Sequence, residues 1–347
     1  MGQGKFEKKA VKKNRSNKIL LRILIGVLSL LLVLMIMAAV SMNYVLGKIG
    51  RYDSQTATEA YTGDHSEFFE TDPTEEGQET VDPNSVVWDD VESLEGEHII
   101  NILLVGNDAR PGETRARSDT MILVSLNKKT NAIQLTSFMR DMYVQIPGYY
   151  DNRINVAFAL GGPELLCETL NVNFGVEVDG TVEVNFDAFS DVIDAIGGVD
   201  VEMTASEASY MRGQGFSASE GVSHLDGEAA LTFARVRSLA GSDYNRTERQ
   251  RRVIAAVIKS VADSSMTELL ELINKVLPLV TTSLTDAEII SYATTGLTAL
   301  SNGGEIASAR IPADDAHYSA NISGMAVLVP DLKMCQEDLQ EFIYGEE

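Results

Sequence analysis

The pattern of hydrophobic and polar positions from residue 98 onward changes repeatedly between two periods, and each change predicts a new element. Short apolar or alternating runs bounded by turn residues predict strands at 98–105, 121–126, 133–138, 176–184, 199–203 and 306–311. Amphipathic runs of helical period predict helices at 155–160, 163–170, 186–196, 226–237, 246–260, 266–277 and 286–300. Strands that alternate with helices in this way predict a three-layer α/β fold.

A second hydrophobic pattern lies near the N-terminus. Residues 23–45 are apolar apart from three uncharged polar positions, which is long enough for one helix to cross a bilayer. Residues 1–22 carry eight lysines and arginines against one acid, so we expect a cytoplasmic N-terminus and an extracellular remainder. A cleaved signal peptide is the alternative, but the apolar stretch is longer than a typical signal core.

Charge then divides the rest of the chain into a linker and a folded part. Residues 51–95 hold fourteen acids and one basic residue with few large aliphatics, which predicts a disordered linker, although 86–88 could dock on the domain. No break is evident after residue 97, so 97–347 are predicted to form one domain. The formal net charge of −23 argues against nucleic-acid binding. Two isolated cysteines, Cys167 and Cys335, leave a disulfide open.

Arginines beside aspartates give the predicted domain its candidate chemistry. They cluster at 107–110, 117–120, 140–141, 235–237 and 243–252. The arginine side chain presents a planar fork of donors that binds phosphate oxygens in pairs. Any single cluster is well explained as a structural ion pair, but five clusters in one acidic domain favour a phosphate or pyrophosphate site.

The positions of these clusters predict how they meet. Asp108 and Arg110 follow the first strand and Asp119 precedes the second, so two carboxylates are expected at neighbouring strand ends, where a divalent cation such as Mg²⁺ would relieve their repulsion. Arg246, Arg249 and Gln250 are expected to share one face of a helix, with Asp243 or Asn245 as its cap. Motifs of serine hydrolases, zinc proteases and P-loop proteins are absent from the sequence.

The ordered series of motifs resembles the LytR-CpsA-Psr family of bacterial cell-wall enzymes. The matching segments are ILLVGNDAR (102–110), RSDTM (117–121), SFMRD (137–141), RINVA (153–157), DAIGGVDV (194–201), LDGEAAL (225–231), ARVR (234–237) and DYNRTERQ (243–250). The resemblance covers about residues 97–260 and lies behind the expected single membrane anchor. It implies an α/β/α sandwich with a central mixed sheet and an apolar tunnel for a polyprenyl tail.

The resemblance also implies an activity and a site. Such proteins transfer a glycopolymer, for example teichoic acid or capsule, as a sugar phosphate from an undecaprenyl-pyrophosphate carrier to peptidoglycan. The expected catalytic residues are Asp108, Arg117, Asp119 and Arg140, with Asp108 and Asp119 as ligands of Mg²⁺ or Mn²⁺. The expected pyrophosphate-binding residues are Arg110, Arg235, Arg237, Arg246, Arg249 and Gln250.

Two further hypotheses stay open at the level of sequence. The first is a non-catalytic, membrane-anchored protein that binds polyprenyl phosphate or glycopolymer in cell-wall regulation. The second is a pyrophosphatase side activity, in which water replaces the acceptor hydroxyl. Lipid binding without metal-dependent turnover would favour the first, and free polymer phosphate in the absence of an acceptor would favour the second.

Overall fold

The computed structural model describes residues 47, 50–51, 79–94, 96–107, 117–239, 242–262 and 275–345. The predicted membrane segment 23–45, the predicted helix core 266–274, and Asp108 and Arg110 lie outside these residues. Within them, no helix is both long and apolar enough to cross a membrane. Residues 49–347 belong to one compact unit.

Fourteen strands and seven α-helices make up the described part of this unit. The strands are β1 (Gly50–Arg51), β2 (Glu79–Thr80), β3 (Ile99–Asn107), β4 (Ser118–Asn127), β5 (Ile133–Phe138), β6 (Tyr143–Val144), β7 (Asn152–Arg153), β8 (Gly180–Asn185), β9 (Val199–Met203), β10 (Gly221–Leu225), β11 (Thr281–Thr282), β12 (Ile306–Ile311), β13 (His317–Ile322) and β14 (Met325–Pro330). The helices are α1 (Ile154–Phe174), α2 (Phe186–Ala195), α3 (Ala205–Gly213), α4 (Gly227–Ala234), α5 (Ser242–Ala262), α6 (Asp286–Ser301) and α7 (Leu332–Leu339), followed by a π-helical turn at Gln340–Tyr344.

The central sheet has seven strands in the order β1-β11-β8-β3-β4-β5-β12. It is mixed, because β3 runs antiparallel to β4 but parallel to β8, and β5 runs parallel to β12. One face packs on α1 and α7 through a core that includes Leu103, Leu123 and Phe138, while Ile133 and its neighbours on the other face pack towards α5 and α6. The predicted three-layer fold with a mixed sheet is therefore confirmed.

Helix α1 is interrupted where the sequence predicted two separate helices. Gly161 and Gly162 leave the helical conformation, and Gly162 has a φ of 67°, a left-handed value that favours glycine. Pro163 follows, and proline is suited to the first turn of a new helix because it has no N–H to donate. The two halves together bury Ile154, Leu166 and Phe174 against the sheet.

The predicted linker 51–95 needs correction at both of its ends. Arg51 lies in β1, which pairs with β11, and residues 79–94 pack on the domain. Trp88 stacks on Tyr143 at 6.1 Å between ring centroids, and its Nε1 donates to Asp151 Oδ2 at 2.8 Å. Acidic composition suggested disorder, but apolar side chains spaced along this short segment bury enough surface to hold it.

A smaller layer forms around the antiparallel pair of β9 and β10, which α3 connects. Val199, Val201 and Leu225 pack with α3, α4 and α5 in a second core cluster. Helix α2 docks closely on α4, since a Cβ on Gly227 would lie 2.2 Å from the Ser190 carbonyl oxygen, and the Gly227 N–H donates to Asp194 Oδ1 at 2.7 Å. This close contact explains why the LDG motif requires glycine. It also fixes the position of α4, whose C-cap residue is Arg235. The two cysteines are free.

Candidate active site

Six of the predicted site residues reach one polar cavity at an end of the central sheet. Asp119 comes from the start of β4, and Arg140 follows β5. Arg235 is the C-cap residue of α4, with Arg237 two residues beyond it. Arg246 and Gln250 lie one turn apart on α5. The cavity of about 830 Å³, including space open to solvent, is lined by Asp119, Thr120, Arg140, Phe186, Arg235, Arg237, Arg246 and Gln250.

Arg140 is the centre of the charge network. Its Nη1 donates to Asp119 Oδ1 at 2.6 Å, its Nε lies 3.4 Å from Asp141 Oδ2, and its Nη2 lies 3.8 Å from Asp243 Oδ2. Burial opposes its charge, but the three carboxylates outweigh that effect and raise the pKa of Arg140. The guanidinium therefore stays charged and oriented towards the cavity.

Asp243 joins three arginines and is a site residue that the sequence analysis considered only as a helix cap. Its Oδ1 lies 3.1 Å from Arg246 Nη1 and 3.8 Å from Arg237 Nε, while Oδ2 faces Arg140. Helix α5 begins at Ser242 rather than at Arg246, so Asp243 sits in the first turn and cannot be the cap. The sequence does contain a signal for this ion pair, because the i, i+3 spacing of Asp243 and Arg246 places both side chains on one face of a helix.

Arg246 is the most deeply buried charge in the cavity wall. Its side chain is 4% exposed, and its Nε has no hydrogen-bond partner among the described residues. Burial, together with repulsion from Arg140 and Arg237, lowers the pKa of Arg246 to about 10, although Asp243 opposes the shift. An anion at this point would provide the missing acceptor for Nε and a second counter-charge beside Asp243.

Arg249 is placed away from the cavity, which corrects its predicted role in pyrophosphate binding. It is 2% exposed, its Nε donates to Glu207 Oε1 at 2.8 Å, and its Nη1 donates to the Val236 carbonyl at 3.0 Å. Its guanidinium therefore joins α5 to α3 and to the loop that carries Arg235 and Arg237. Arg249 acts on the site only by holding these elements together.

The remaining predicted residues divide into two groups. Arg117 precedes β4 directly, two residues before Asp119, but it is not among the described residues that line the cavity. Asp108 and Arg110 lie outside the described residues, so their predicted roles stay predictions.

A second, apolar cavity adjoins the polar one. It measures about 650 Å³, including space open to solvent, and lies between strands β3, β4 and β8 and helices α2, α4 and α5. Its lining includes Leu104, Ile122, Val184, Phe189, Leu231, Ala234 and Ile254. The two cavities share Thr120, Phe186, Arg235 and Gln250, and the Arg235 guanidinium stacks 4.3 Å above the Phe186 ring at this boundary. A ligand with a charged head and an apolar tail would fit across it.

The carboxylates of the cavity determine whether it could hold a divalent cation. Among the described residues no group of three or more His, Cys, Asp or Glu side chains is arranged to hold a metal ion. Asp119 nevertheless lines the cavity with a partly exposed carboxylate, of which Oδ1 accepts from Arg140. Mg²⁺ commonly uses one or two protein carboxylates together with phosphate oxygens and water. The residues therefore fit a cation that is shared with a phosphate ligand.

Comparison with known proteins agrees with this architecture. The model of the LytR_cpsA_psr family matches residues 56–341. A Bacillus mycoides protein named polyisoprenyl-teichoic acid--peptidoglycan teichoic acid transferase TagU is 35% identical over 229 residues, covering 64% of this chain and 71% of that protein. The protein of the same name from Oceanobacillus iheyensis is 38% identical over 183 residues, covering 50% of this chain and 56% of that protein.

A solved structure agrees as well. The structure described as TagT bound to LI-WTA superposes with a TM-score of 0.58 at 26% identity, covering 77% of this chain and 97% of that one. The family match agrees with the sequence motifs and with the mixed sheet, and this chain belongs to the LytR_cpsA_psr (LytR-CpsA-Psr) family.

Proposed function

We propose that this protein transfers an anionic glycopolymer, of the teichoic acid or capsule type, from an undecaprenyl-pyrophosphate carrier to peptidoglycan. The observation that carries the proposal is the continuity of the two cavities: one lined by arginines, the other by aliphatic side chains, with Arg235 and Gln250 in both. The names of the similar TagU proteins support the same polymer class and acceptor.

The chemistry required is the displacement of a lipid phosphate. A hydroxyl oxygen of the acceptor sugar forms a bond to the phosphorus that carries the polymer, and the bond from that phosphorus to the bridging oxygen breaks. The products are a phosphodiester, the polyprenyl phosphate and a proton. Negative charge grows on the bridging oxygen as it leaves, so donors fixed around that oxygen stabilise the transition state.

Each arginine is proposed to contact a different part of the substrate, according to its position in the cavity. Arg140 and Arg246 are held by Asp243 before substrate arrives, so little reorganisation is needed when phosphate oxygens enter. Arg237 is half exposed and lies at the rim of the cavity, where its side chain can contact the phosphate that carries the polymer. Arg235 and Gln250, at the boundary with the apolar cavity, are placed for the phosphate next to the lipid.

A divalent cation is part of the proposal. Asp119, with Asp108 from outside the described residues, would hold Mg²⁺ or Mn²⁺ together with oxygens of the pyrophosphate. When bound, the cation would offset charge on the phosphate oxygens. Asp119 also fixes Arg140 directly, so it contributes to substrate orientation through its own hydrogen bond.

The location follows from the substrate. We propose a single-pass membrane protein of a Gram-positive type bacterium, anchored by residues 23–45, with a cytoplasmic N-terminus and the catalytic domain outside. The carrier lipid stays in the bilayer, so an anchored domain meets its substrate at the membrane surface.

The test uses the purified chain with a synthetic lipid-pyrophosphate glycan and a peptidoglycan oligosaccharide, with Mg²⁺ or with chelator, and mass spectrometry of the products. We expect a phosphodiester adduct that requires Mg²⁺ and is lost in Arg140→Ala. Arg212→Ala, on the exposed surface of α3, is the matched control and should retain turnover. Tight lipid binding without adduct across a panel of glycans would instead support the non-catalytic binding protein.

A further inference from the structure

The edge strand β12 presents unpaired backbone groups. It is the last strand of the seven-stranded sheet and pairs only with β5 among the described residues. The Glu305 carbonyl accepts from the Ile133 N–H at 3.0 Å, and the Ile311 carbonyl accepts from the N–H of Met139, directly after β5, at 2.9 Å. Because backbone groups alternate in direction along a strand, Ile306, Ser308 and Arg310 direct their N–H and C=O groups to the open side. Such an edge is a template for another strand.

This edge lacks the features that usually protect one. Exposed edge strands in proteins carry lysines, prolines or bulges that discourage pairing. The six residues of β12, IASARI, contain one charge and no proline, and the pairing with β5 is regular over all six. Ala307 and Ser308, in the middle of the strand, are small and exposed, so a second backbone can approach closely.

A groove runs beside this edge, between β12 and the C-terminal helix. Its volume is about 1060 Å³, including space open to solvent. Ala309, Ile311, Leu339 and Phe342 provide apolar surface in it. An exposed edge strand flanked by a helix is the geometry by which several peptide-recognition domains bind an extended segment as an added strand.

The polar side chains of the groove define the charge of its ligand. Asp314, Asp338 and Glu341 line it, whereas its single cation, Arg310, is already paired with Asp314 among the described residues. Burial and the neighbouring carboxylates Asp315, Glu341 and Glu337 raise the pKa of Asp338. The carboxylates of the helix therefore repel one another, and a cation between them would relieve that repulsion.

A buried hydroxyl supplies an independent indication that something binds here. Thr136, on β5, lines the groove and is 0% exposed. Its Oγ1 has no hydrogen-bond partner among the described residues. Leaving a buried hydroxyl unpaired is unfavourable, and a polar group placed in the groove would satisfy it.

We propose that this groove binds an extended segment of a partner protein, which pairs with β12 and places a lysine or arginine side chain between Asp338 and Glu341. A second copy of this chain fits poorly, since two acidic grooves would face each other across the shared edge. The groove and the phosphate cavity have no lining residue in common. The partner site is therefore distinct from the proposed transfer activity.

The experiment measures fluorescence anisotropy of a labelled peptide, Ser-Val-Lys-Val-Arg-Val-Ser, titrated with the full chain in detergent micelles. One control peptide replaces Lys and Arg by Glu, and another carries N-methyl groups on the amides that would pair with β12. We expect saturable binding of the first peptide only, because the ligand needs both the positive charge and the backbone donors.

Variants of the groove separate its two components. Ser308→Pro removes an outward N–H from the edge, where proline is tolerated, and Asp338→Asn with Glu341→Gln removes the charge. Each should weaken binding at least about tenfold, while Glu220→Gln, an exposed carboxylate before β10 that does not line the groove, should leave it unchanged. Thermal melting verifies that each variant is folded, and if Ser308→Pro is not, the N-methylated peptide tests the edge alone.

Three outcomes would overturn the proposal. The first is the absence of saturation by the Lys–Arg peptide up to about 1 mM, the weak end of specific affinities. The second is equal binding of the Glu peptide or of the N-methylated peptide. The third is unchanged binding in the doubly neutralised variant.

Discussion

Glu207 and Arg249 form a buried pair whose loss should destabilise the domain rather than impair phosphate binding directly. Glu207 is 4% exposed, begins α3 in a capping box with Thr204, and accepts from both Arg249 and Arg252. Removing Arg249 leaves this carboxylate with one partner fewer and leaves the Val236 carbonyl without its donor. Breaking a buried pair in this way costs about 3–5 kcal/mol.

The pKa of Glu207 gives a second route to the magnitude. Burial alone would raise it, but hydrogen bonds from Arg252, from the Thr204 backbone and from Arg249 lower it from 4.5 to about 2. A shift of this size corresponds to about 3 kcal/mol of folding free energy. Because the folded-state pKa is depressed, this stability is fully present above pH 4.5 and is lost as the pH falls towards 2.

The assay is urea unfolding of residues 49–347, followed by circular dichroism at several pH values. We expect Arg249→Ala to lower the free energy of unfolding by about 3 kcal/mol at pH 7, and Arg212→Ala by less than about 1 kcal/mol. The deficit of Glu207→Gln relative to the parent should shrink between pH 4.5 and 2. If Arg249→Ala kept its stability but lost affinity for a lipid pyrophosphate, the structural assignment of Arg249 would be wrong.

Three other substitutions test the cavity, the charge network and the docked segment. Ala234→Phe fills the apolar cavity, so KM for a long-chain lipid pyrophosphate should rise at least about tenfold in steady-state assays, while a short-chain analogue is unaffected. Asp243→Asn frees the arginines around it, so kcat should fall about 10²-fold with little change in melting temperature. Trp88→Ala should cost about 2 kcal/mol of unfolding free energy, whereas Val87→Ala, 87% exposed, should change it by less than about 0.5 kcal/mol.

The sequence predicts the central layers well because their periodicity is strong. β3, β4 and β5 are long runs with buried faces, and their predicted positions agree with the structure to within a few residues. The hairpin of β13 and β14 was missed, as was the pairing of β2 with β13. The sequence of β13, HYSANI, shows no clear period, and β2 has only two residues, so the pairing of these strands depends on contacts distant in sequence.

The sequence analysis identified most residues of the site correctly, but not the directions in which their side chains point. Residues at i+3 and i+4 from Arg246 were treated as one face, but each residue turns a helix by about 100°, so the adjacent side chains of Arg249 and Gln250 diverge by that angle, one on each side of Arg246. Gln250 faces the cavity, and Arg249 faces Glu207, which lies 42 residues earlier in the chain. The periodicity of a sequence does not identify the residues that pack against each side of a helix in the folded protein.

The charge of the whole protein and the charge of its cavity have opposite signs, and this has a consequence for how substrate arrives. The chain carries −23 overall, so at long range it repels a polyanion, although salt screens that repulsion beyond about 8 Å. The arginines act only at short range, since Asp119, Asp141 and Asp243 neutralise Arg140 until phosphate oxygens are close. Electrostatic attraction from a distance therefore cannot deliver the proposed substrate. The proposed membrane anchor supplies the encounter instead, because the lipid tail is already in the bilayer and an anchored domain is held at the same surface. On this argument the lipid tail brings the pyrophosphate to the arginines, and the arginines select for the phosphate only after it has been brought there.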